Sequence, residues 1–480
     1  MKKTLAPLVQ RDVYRVMLLR RGLHDAAPVS GGSPTDLHKL LYSPLLTPDA
    51  PAAEDPVAAR NALQAALSRG GKKRPVNRLH LPLEEKIAPL ASLVGRALTP
   101  GEPLTLEKEQ IVHILQTADE GLENALYDYA DTVTQRYFGK KIYFRGIVEF
   151  SNVCTKDCYY CGIRKHIQVK RYSMSKEEIV NCAIFAYESG YGSLMLQSGE
   201  LPTDKRLAFL VDTIKEVKRV TIEKDKERNG VKEGVENKSL GVAISLGELT
   251  KDMFRSLREA GAHRYLLRIE SSNPDLYAKL HPADHSWHRR VECLRELNEL
   301  GFQVGTGVMI GLPGQTLGDL AQDLLFFKSM DIDMIGMGPY ICQKDTPLGK
   351  LWQEENSNLD TKRYNEKLFR LSTKMVALAR IICGDVNIAA TTALQAINPQ
   401  GREVALNQGA NMLMPILTPR KYREDYQLYE GKPCIDEGAE ECRSCLKNRV
   451  QWAGKELTLH DWGDPQHFFS RQNIPTPTRQ

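Results

Sequence analysis

The sequence predicts an α/β protein whose main domain is a (β/α)8 barrel. From residue 142 onward, apolar runs of strand type alternate with segments of helical periodicity, which is typical of parallel strands joined by crossover helices. About eight such units can be counted, the number that closes a barrel. With 480 residues, 42% of them hydrophobic, the chain can bury a core of that size. An open, doubly wound sheet is the alternative fold.

The strands are predicted from apolar runs bounded by turn residues, beginning with IYFRGIVEF. In chain order they are 142–150, 193–197, 240–246, 264–270, 302–310, 332–338, 387–391 and 411–415. The helices predicted between and after them are 176–189, 203–220, 249–260, 273–280, 286–300, 317–329, 361–383 and 402–408. The charged run at 223–238 is expected to be a solvated insertion.

Four regions are expected along the chain. They are an irregular and helical N-terminal extension (1–104), helices that pack on the barrel (105–141), the barrel (142–425) and a C-terminal segment (426–480). The extension is rich in Pro, Ala, Gly and Ser, which favour loops and linkers. Helical periodicity predicts that the second region contains helices at 106–117 and 122–137.

The N-terminus and the composition exclude several classes of protein. The start, MKKTLAPLVQRDVYRVMLLRRGL, lacks a secretory apolar core and reads as an amphipathic helix or an organellar targeting segment. We therefore expect a cytoplasmic protein, or one in a hydrogenosome, mitochondrion or plastid under the second reading. The net charge of +5 is too small to predict binding to nucleic acid or to a membrane surface. The sequence contains no run of about 20 apolar residues, so no transmembrane helix is predicted.

Six of the ten cysteines fall in two tight clusters, which in a non-secreted protein indicates metal or iron–sulfur ligation. The first cluster, Cys154, Cys158 and Cys161, follows the first predicted strand with the spacing Cys-x3-Cys-x2-Cys. Structural zinc sites and 4Fe–4S cubanes both take four ligands. A cubane held by these three cysteines keeps one open iron where a small molecule can bind. A zinc knuckle or a fortuitous cluster is the alternative.

Polar residues follow the next strands at the same mouth of the barrel. Gly199 and Glu200 end the second strand, with an ordinary turn as the alternative, and Ser245 ends the third. In RYLLRIE, strand alternation places Arg268 and Glu270 on one face, where they form a structural ion pair or bind a polar ligand.

The second cysteine cluster lies near the C-terminus. Cys434, Cys442 and Cys445 have the spacing Cys-x7-Cys-x2-Cys. Two such triplets in one chain favour an auxiliary iron–sulfur cluster, of 2Fe–2S or 4Fe–4S type. Zinc with a fourth ligand such as His460 is the alternative.

The first loop and the barrel resemble the radical S-adenosylmethionine (SAM) superfamily, whose signature carries an aromatic residue, here Tyr160, before the last cysteine. A further set of motifs narrows the resemblance to the HydE family of FeFe-hydrogenase maturation enzymes. The set is EFSNVC, CYYCGIR, LQSGE, SLGE, RYLLR-x-E, MIGLPGQT, DTPL, ATTA, GAN-x-x-MP, YQLY-x-GK-x-C and DWG. It covers residues from about 105 to 465, roughly three quarters of the chain.

The resemblance implies a full (β/α)8 barrel that binds SAM at a 4Fe–4S cluster and cleaves it to a 5′-deoxyadenosyl radical. It implies that the radical acts on a small iron–cysteine–carbonyl–cyanide complex, with the maturases HydG and HydF as partners. The residues implied for the SAM cluster are Cys154, Cys158 and Cys161. Those implied for SAM are Tyr160, Gly199, Glu200, Ser245, Glu270 and Arg290. Arg289 is a possible substitute for Arg290. Those implied for the substrate complex are Gln197, Ser198, Arg268, Thr391, Thr392, Met414 and Tyr426.

Two alternatives to this function remain at the level of the sequence. One is another radical SAM enzyme of the biotin synthase or methylornithine synthase type, acting on a small amino acid. The other is a non-catalytic iron–sulfur scaffold, against which the charged residues predicted inside the barrel argue. The family often has histidine where this chain has Ile269, and by strand alternation that side chain points away from the lumen.

Overall fold

The computed structural model describes residues 80–231 and 237–472. The predicted N-terminal helix and most of the predicted extension lie outside the described residues. Eleven strands are present in the described part. They are β1 (Lys141–Ser151), β2 (Ser193–Ser198), β3 (Gly241–Ser245), β4 (Ala262–Leu266), β5 (Gln303–Thr306), β6 (Met309–Ile310), β7 (Met334–Ile335), β8 (Gly338–Pro339), β9 (Asn387–Ile388), β10 (Met412–Leu413) and β11 (Glu456–Thr458).

Eight of these strands form a closed parallel barrel. The hydrogen-bonded order is β10-β1-β2-β3-β4-β5-β7-β9. A parallel bridge between Ala389 and Met412 joins the two ends of this order, and Ala390 N donates to Met412 O at 2.9 Å. The prediction of a (β/α)8 barrel is therefore confirmed, and the open sheet is excluded.

The predicted strands at 302–310 and 332–338 are each broken in two. Their first halves, β5 and β7, belong to the barrel, whereas β6 and β8 pair with each other in a separate two-stranded ladder. The break follows Thr306, where the close approach of Gly307 to Gly336 requires glycine, because a side-chain carbon there would lie 1.8 Å from Gly336 O.

The helices agree with the predicted ones within a few residues, apart from the helix after β2. Those of the described part are Leu83–Val94, Lys108–Gln116, Glu120–Phe138, Lys176–Glu188, Asp204–Asn229, Lys251–Glu259, Pro274–Leu280, Trp287–Glu299, Leu317–Ser329, Pro347–Glu355, Thr361–Cys383, Thr392–Ile397, Gly401–Asn407, Arg420–Arg423, Ala439–Trp452 and Gln466–Arg471. Several begin at a Ser or Thr whose side chain accepts a backbone N–H, as Ser175 does from Glu178. None of them is long and apolar enough to cross a membrane.

The prediction of a solvated insertion from residue 223 is wrong for its first half, because the helix continues to Asn229. The reason is Asp225, which is buried and accepts a hydrogen bond from Tyr187 OH at 2.6 Å and one from Asn237 Nδ2 at 2.9 Å. These partners come from outside the helix, so its own charge pattern does not reveal where it ends.

The packed domain also extends beyond the predicted boundaries at both ends. The helix Leu83–Val94 lies within the predicted extension, yet Ile87 and Leu90 are buried in the main core. At the other end, β11 pairs in parallel with β1, from Lys141–Glu456 to Tyr143–Thr458.

The C-terminal segment closes the barrel at the amino ends of its strands. The ring of Trp462 stacks on His263 with centroids 4.5 Å apart, and Trp462 Nε1 donates to Ser239 O at 2.7 Å. Asp464 accepts from Gln303 Nε2 at 2.6 Å and forms an ion pair with the buried Arg264. Above this floor, five strands contribute one residue each to an apolar layer across the lumen: Met195, Ala243, Leu266, Met334 and Met412.

Candidate active site

The first cysteine triplet lies in the loop that follows β1, at the carboxyl ends of the barrel strands. Two distant segments hold this loop through its backbone. Thr155 N donates to Glu200 O at 2.8 Å, and Gly162 N donates to Leu428 O at 3.1 Å. The loop is therefore anchored to the end of β2 on one side and to the C-terminal segment on the other.

Two glycines allow the loop to pack this closely. A side-chain carbon at Gly199 would lie 2.5 Å from Val153 O and 2.7 Å from Cys154 Cβ. At Gly162 it would lie 1.9 Å from Gln427 O. The close backbone approach predicted for Gly199 therefore exists, and it is made to the cysteine loop itself.

Burial disfavours ionisation of the thiols of this triplet. It raises the pKa of Cys158 to about 12, and it also raises that of Cys154 and of Cys161. A single zinc ion holds sulfur about 2.3 Å away and hence its sulfurs within about 4.6 Å of one another. The triplet is not among the groups of described residues whose three donors lie within 4.8 Å of one another.

A stack of aromatic rings stands beside the loop. Tyr277 and His281 stack with centroids 3.9 Å apart, and His281 stacks on His285 at 5.3 Å. Tyr160 OH lies 3.1 Å from His281 Nε2, and Cys158 Sγ lies 3.5 Å from His285 Nε2. Burial lowers the pKa of both histidines, that of His281 to about 3, so both rings are neutral. Tyr160 and Cys158 are thus each backed by a neutral imidazole.

Arg290 is the buried cation of the mouth. Its Nε donates to Glu248 Oε1 at 2.7 Å, and its Nη1 donates to Arg268 O at 3.1 Å. Burial alone would lower its pKa, but the neighbouring Tyr277, Glu248 and Glu200 raise it overall. A permanent positive charge therefore stands among acids at the carboxyl end of the barrel.

Arg289, the predicted substitute, does not lie in this position. Its guanidinium is about one-third exposed and pairs with Glu292 at 2.7 Å and with Glu296 at 3.1 Å. Its neighbour Arg290 is the residue whose guanidinium lies buried beside Glu248 at the mouth of the barrel.

Glu200 is held from both flanking loops. Its Oε2 accepts from Glu248 N at 2.9 Å, and its Oε1 lies 3.6 Å from Lys156 Nζ. The carboxylate occupies the space beside Gly247, where a side-chain carbon would lie 2.0 Å from Oε2. Burial raises the pKa of Glu200. The residue therefore connects the cysteine loop with the loop after β3.

Arg268 and Glu270 form an ion pair, with Nη2 and Oε2 3.1 Å apart. The prediction of one strand through both residues is wrong, because β4 ends at Leu266 and Glu270 has a left-handed φ of 61°. Arg268 Nε is buried and lacks a hydrogen-bond partner within the described residues. Buried polar atoms normally have partners, so a polar ligand fits here.

The residues expected to contact the substrate lie at the carboxyl ends of β2, β9 and β10 and in the segment that follows. Gln197 Nε2 donates to Tyr426 OH at 3.2 Å, and Gln197 pairs with Ser245 across β2 and β3. Met414 packs against the apolar layer. Thr391 Oγ1 donates to Met337 O at 3.0 Å.

One of these residues is engaged by the main chain. Ser198 Oγ donates to Gly199 O at 2.7 Å. Thr392 is the first residue of the helix Thr392–Ile397, which follows β9. Gln197, Ser245 and Tyr426 form one connected set, whereas Ser198 has a local partner.

The second cysteine cluster is arranged differently from the expected triplet. Cys434 Sγ, Cys442 Sγ and a carboxylate oxygen of Glu437 lie within 4.8 Å of one another. Cys445 Sγ instead accepts from Arg449 Nε at 3.5 Å. The hydrogen bond between the first two thiols lowers the pKa of Cys434 to about 6 and raises that of Cys442.

His460, considered as a zinc ligand, is placed elsewhere. Its ring packs on Tyr187 with centroids 5.2 Å apart and hydrogen-bonds to Arg228. It is not a member of the metal-ligating group found in the described part of the chain, and neither is Cys445.

The sequence reasoning missed several residues of the site. Glu248 was detectable, because it follows a strand end in SLGE as Glu200 does in QSGE. The stack of Tyr277, His281 and His285 was not detectable by helical spacing, because the helix ends at Leu280 and both histidines lie beyond it. Glu437 has no signal beyond its place between two cysteines.

Comparison with known proteins agrees with this geometry. Residues 148–327 match the Radical SAM superfamily. The chain is 42% identical to the [FeFe] hydrogenase maturase subunit HydE of Thermotoga maritima over 75% of this chain and 94% of that protein. It is 26% identical to the 3-methylornithine synthase of Methanosarcina acetivorans over 74% of this chain and 91% of that protein.

Solved structures share the fold. A crystal structure of methylornithine synthase (PylB) aligns with a TM-score of 0.59 and 22% identity, covering 78% of this chain and 97% of that one. The structure of the FeFe-hydrogenase maturase HydG from Carboxydothermus hydrogenoformans aligns with a TM-score of 0.59 and 21% identity, covering 78% of this chain and 79% of that one.

Proposed function

Because the chain belongs to the HydE family of radical SAM enzymes of [FeFe]-hydrogenase maturation, we propose that it acts on a small iron–cysteine–carbonyl–cyanide complex at the mouth of its barrel. The observation that carries this proposal is the convergence of three features there: the loop of three cysteines, the buried cation Arg290, and Arg268 with its unpartnered Nε.

The three cysteines of the first loop would hold a 4Fe–4S cluster and leave one iron for SAM. When bound and reduced by an external electron donor, the cluster would pass one electron to SAM, which would give methionine and a 5′-deoxyadenosyl radical. The chain's part is to position the groups and to exclude water. Arg290 suits the carboxylate of SAM, Glu270 its cationic or hydroxyl groups, and Ser245 a further hydroxyl contact. Gly199 and Glu200 support the cysteine loop from behind, and Tyr160 packs beside it.

The lumen side of the site suits a small anionic substrate that carries an amino acid. Arg268 has a buried Nε without a partner, so its guanidinium can take a carboxylate. Gln197 and Tyr426 form a polar pair in reach of the same space, while Met414 adds a soft apolar wall. Thr391, Thr392 and Ser198 would contribute hydroxyl groups at the rim. The partners that would deliver and receive the complex are HydG and HydF.

The second cysteine cluster would hold an auxiliary iron–sulfur cluster on Cys434, Cys442 and Cys445. The supporting observation is its surroundings. Arg402 Nη2 lies 3.7 Å from Cys434 Sγ, and Arg449 Nε lies 3.5 Å from Cys445 Sγ. Guanidinium groups next to thiolates stabilise the negative charge of a metal–sulfur centre.

SAM cleavage tests the chemistry. After anaerobic reconstitution with iron and sulfide, wild-type protein with SAM and dithionite should form 5′-deoxyadenosine, measured by chromatography. Cys158→Ala should form none, because the cluster loses a ligand that nothing nearby replaces. Cys342→Ala, which changes a cysteine outside both clusters, is the matched control and should retain cleavage. Absence of cleavage by the wild type would remove the enzymatic proposal.

A cell-free hydrogenase maturation mixture that lacks this component tests the substrate. Adding the wild-type protein should restore hydrogenase activity, whereas Cys158→Ala should not. If the protein cleaves SAM but restores no hydrogenase activity, the substrate is a different one, and a small amino acid is the next candidate.

Loss of the second site should have a different effect on SAM cleavage from loss of the first site. Cys442→Ala should lose iron but keep most SAM cleavage, because that site is distant in sequence from the first loop. Complete loss of cleavage in this variant would show that the second site is essential for the reaction.

A further inference from the structure

The second cysteine cluster contains a carboxylate donor in addition to its thiols. A carboxylate oxygen of Glu437 lies within 4.8 Å of both Cys434 Sγ and Cys442 Sγ. Thiolate sulfur and carboxylate oxygen bind zinc at about 2.3 Å and about 2.0–2.2 Å, so three donors at this separation can surround one metal atom. The three residues thus present a common binding point.

Glu437 has no other use in the described part of the chain. Its Oε2 is buried and lacks a hydrogen-bond partner there. Leaving a buried carboxylate oxygen unpaired is costly, so this atom is expected to have a ligand. The backbone around it is fixed by one guanidinium, because Arg423 Nη1 donates to Glu437 O at 2.6 Å and to Cys434 O at 2.8 Å. The arginine thereby holds both donor residues in place through their main chain.

The neighbouring acids are engaged differently. Glu441 Oε2 accepts from Gly438 N at 2.7 Å and caps the helix Ala439–Trp452, and Glu440 is exposed. Of the three glutamates between Cys434 and Cys442, Glu437 is the one whose carboxylate lies with the thiols.

We infer that Glu437 is the fourth protein ligand of the second metal centre, beside Cys434, Cys442 and Cys445. This inference rests on the proposed function, which places a metal centre there. Four protein ligands close the coordination of the centre, whereas the first loop supplies three and leaves one iron open. The second centre therefore has no position for SAM or substrate and serves electron transfer or the stability of the C-terminal segment.

The test uses full-length protein carrying Cys158→Ala, so that the iron measured comes from the second site. Three variants are made in this parent: Glu437→Gln, which keeps the shape of the side chain but weakens its donor oxygen, Glu440→Gln as the matched control, and Cys442→Ala as the baseline. After anaerobic reconstitution, iron and zinc are counted. The rate of iron loss to a chelator is followed, and electron paramagnetic resonance spectra are recorded with and without cyanide.

We expect Glu437→Gln to lose iron to the chelator at least about tenfold faster than the parent, because even outer partners of metal ligands change metal affinity by 10–100-fold. We also expect cyanide to change its spectrum but not that of the parent, since only the variant has an open iron. Glu440→Gln should match the parent, and equal far-UV circular dichroism would exclude a folding defect. Glu437→Gln that behaves like Glu440→Gln in both assays would overturn the inference.

A failure of the proposed iron–sulfur centre gives a different result. In that case the parent binds no more iron than Cys442→Ala. The zinc content of the same samples then decides. A lower zinc content in Glu437→Gln than in the parent supports Glu437 as a ligand, and an equal zinc content overturns the inference. Absence of both metals from the parent would overturn the site itself.

Discussion

Replacing Lys432 by methionine should destabilise the protein strongly, because Lys432 and Glu149 form a buried ion pair beside the lumen. Their side chains are 6% and 3% exposed. Lys432 Nζ also donates to Tyr426 O at 3.0 Å, so the pair supports a residue of the candidate site. Lys432→Met leaves the Glu149 carboxylate buried and uncompensated, which costs about 3–5 kcal/mol of unfolding free energy.

The second partner provides the internal control. Glu149→Gln alone should also destabilise, because it leaves the ammonium group unpaired. The double variant Glu149→Gln/Lys432→Met should recover most of the loss, since a neutral pair of similar volume avoids the desolvation of both charges. The exposed Lys447→Met is the matched surface control and should change the unfolding free energy by less than about 0.5 kcal/mol.

Urea denaturation of the metal-free proteins, followed by circular dichroism, measures these four variants against the wild type without any contribution from bound clusters. Two results would refute the reasoning. One is that the effects of the single variants add up in the double variant, and the other is that Lys432→Met has the same urea midpoint as Lys447→Met. Either result means that the two charges do not stabilise each other in the folded state.

Three further predictions concern the candidate site. Gly199→Ala should destabilise the cysteine loop by about 1–3 kcal/mol through overpacking, and it should lower the amount of iron bound at the first site after reconstitution. Gly336→Ala is the control and should have neither effect, because a side-chain carbon there meets no atom within 4 Å. His285→Phe should shift the reduction potential of the first cluster in a redox titration, because Cys158 Sγ loses the polar ring nitrogen that lies 3.5 Å away while the ring stack is kept; an unchanged potential would contradict this. Burial raises the pKa of Asp323 to about 7. The stability that its protonated form contributes is therefore present below about pH 4 and is lost as the pH rises through about 7. Asp323→Asn should make the urea midpoint depend less on pH between about pH 5 and 8, and an unchanged pH dependence would count against the shifted pKa.

The closure of the floor of the barrel affects what can reach the site. The apolar layer around Met195 and Met334 separates the polar mouth from the charged floor, and Trp462 and Asp464 of the C-terminal segment cover that floor. Substrate and SAM therefore have to enter at the carboxyl ends of the strands, where the cysteine loop and Arg290 lie. The C-terminal segment also supplies the partner of Gly162, so it supports the loop of the first cluster.

The fold class and the position of the first cysteine loop could both be predicted from the amino-acid sequence. Apolar periodicity and turn residues are local properties of the chain, so the strand–helix alternation and the order of the elements could be read from it. The cysteine triplet and the polar residues at strand ends were also detectable, because a parallel barrel brings the carboxyl ends of all its strands to one rim. The end of β4 was not predictable in this way, because nothing in RYLLRIE indicates that the strand ends at Leu266.

Which of these residues come into contact could not be predicted from the sequence. Lys432 and Glu149 are 283 residues apart, and Arg290 rather than Arg289 faces the acids because of the rotation of its helix against the barrel. Glu437 lies with the cysteines because Arg423 fixes the backbone at Cys434 and at Glu437 itself. Such contacts depend on how separate elements pack, and a buried charge is placed by partners that lie far away along the chain, so its position is a property of the whole fold.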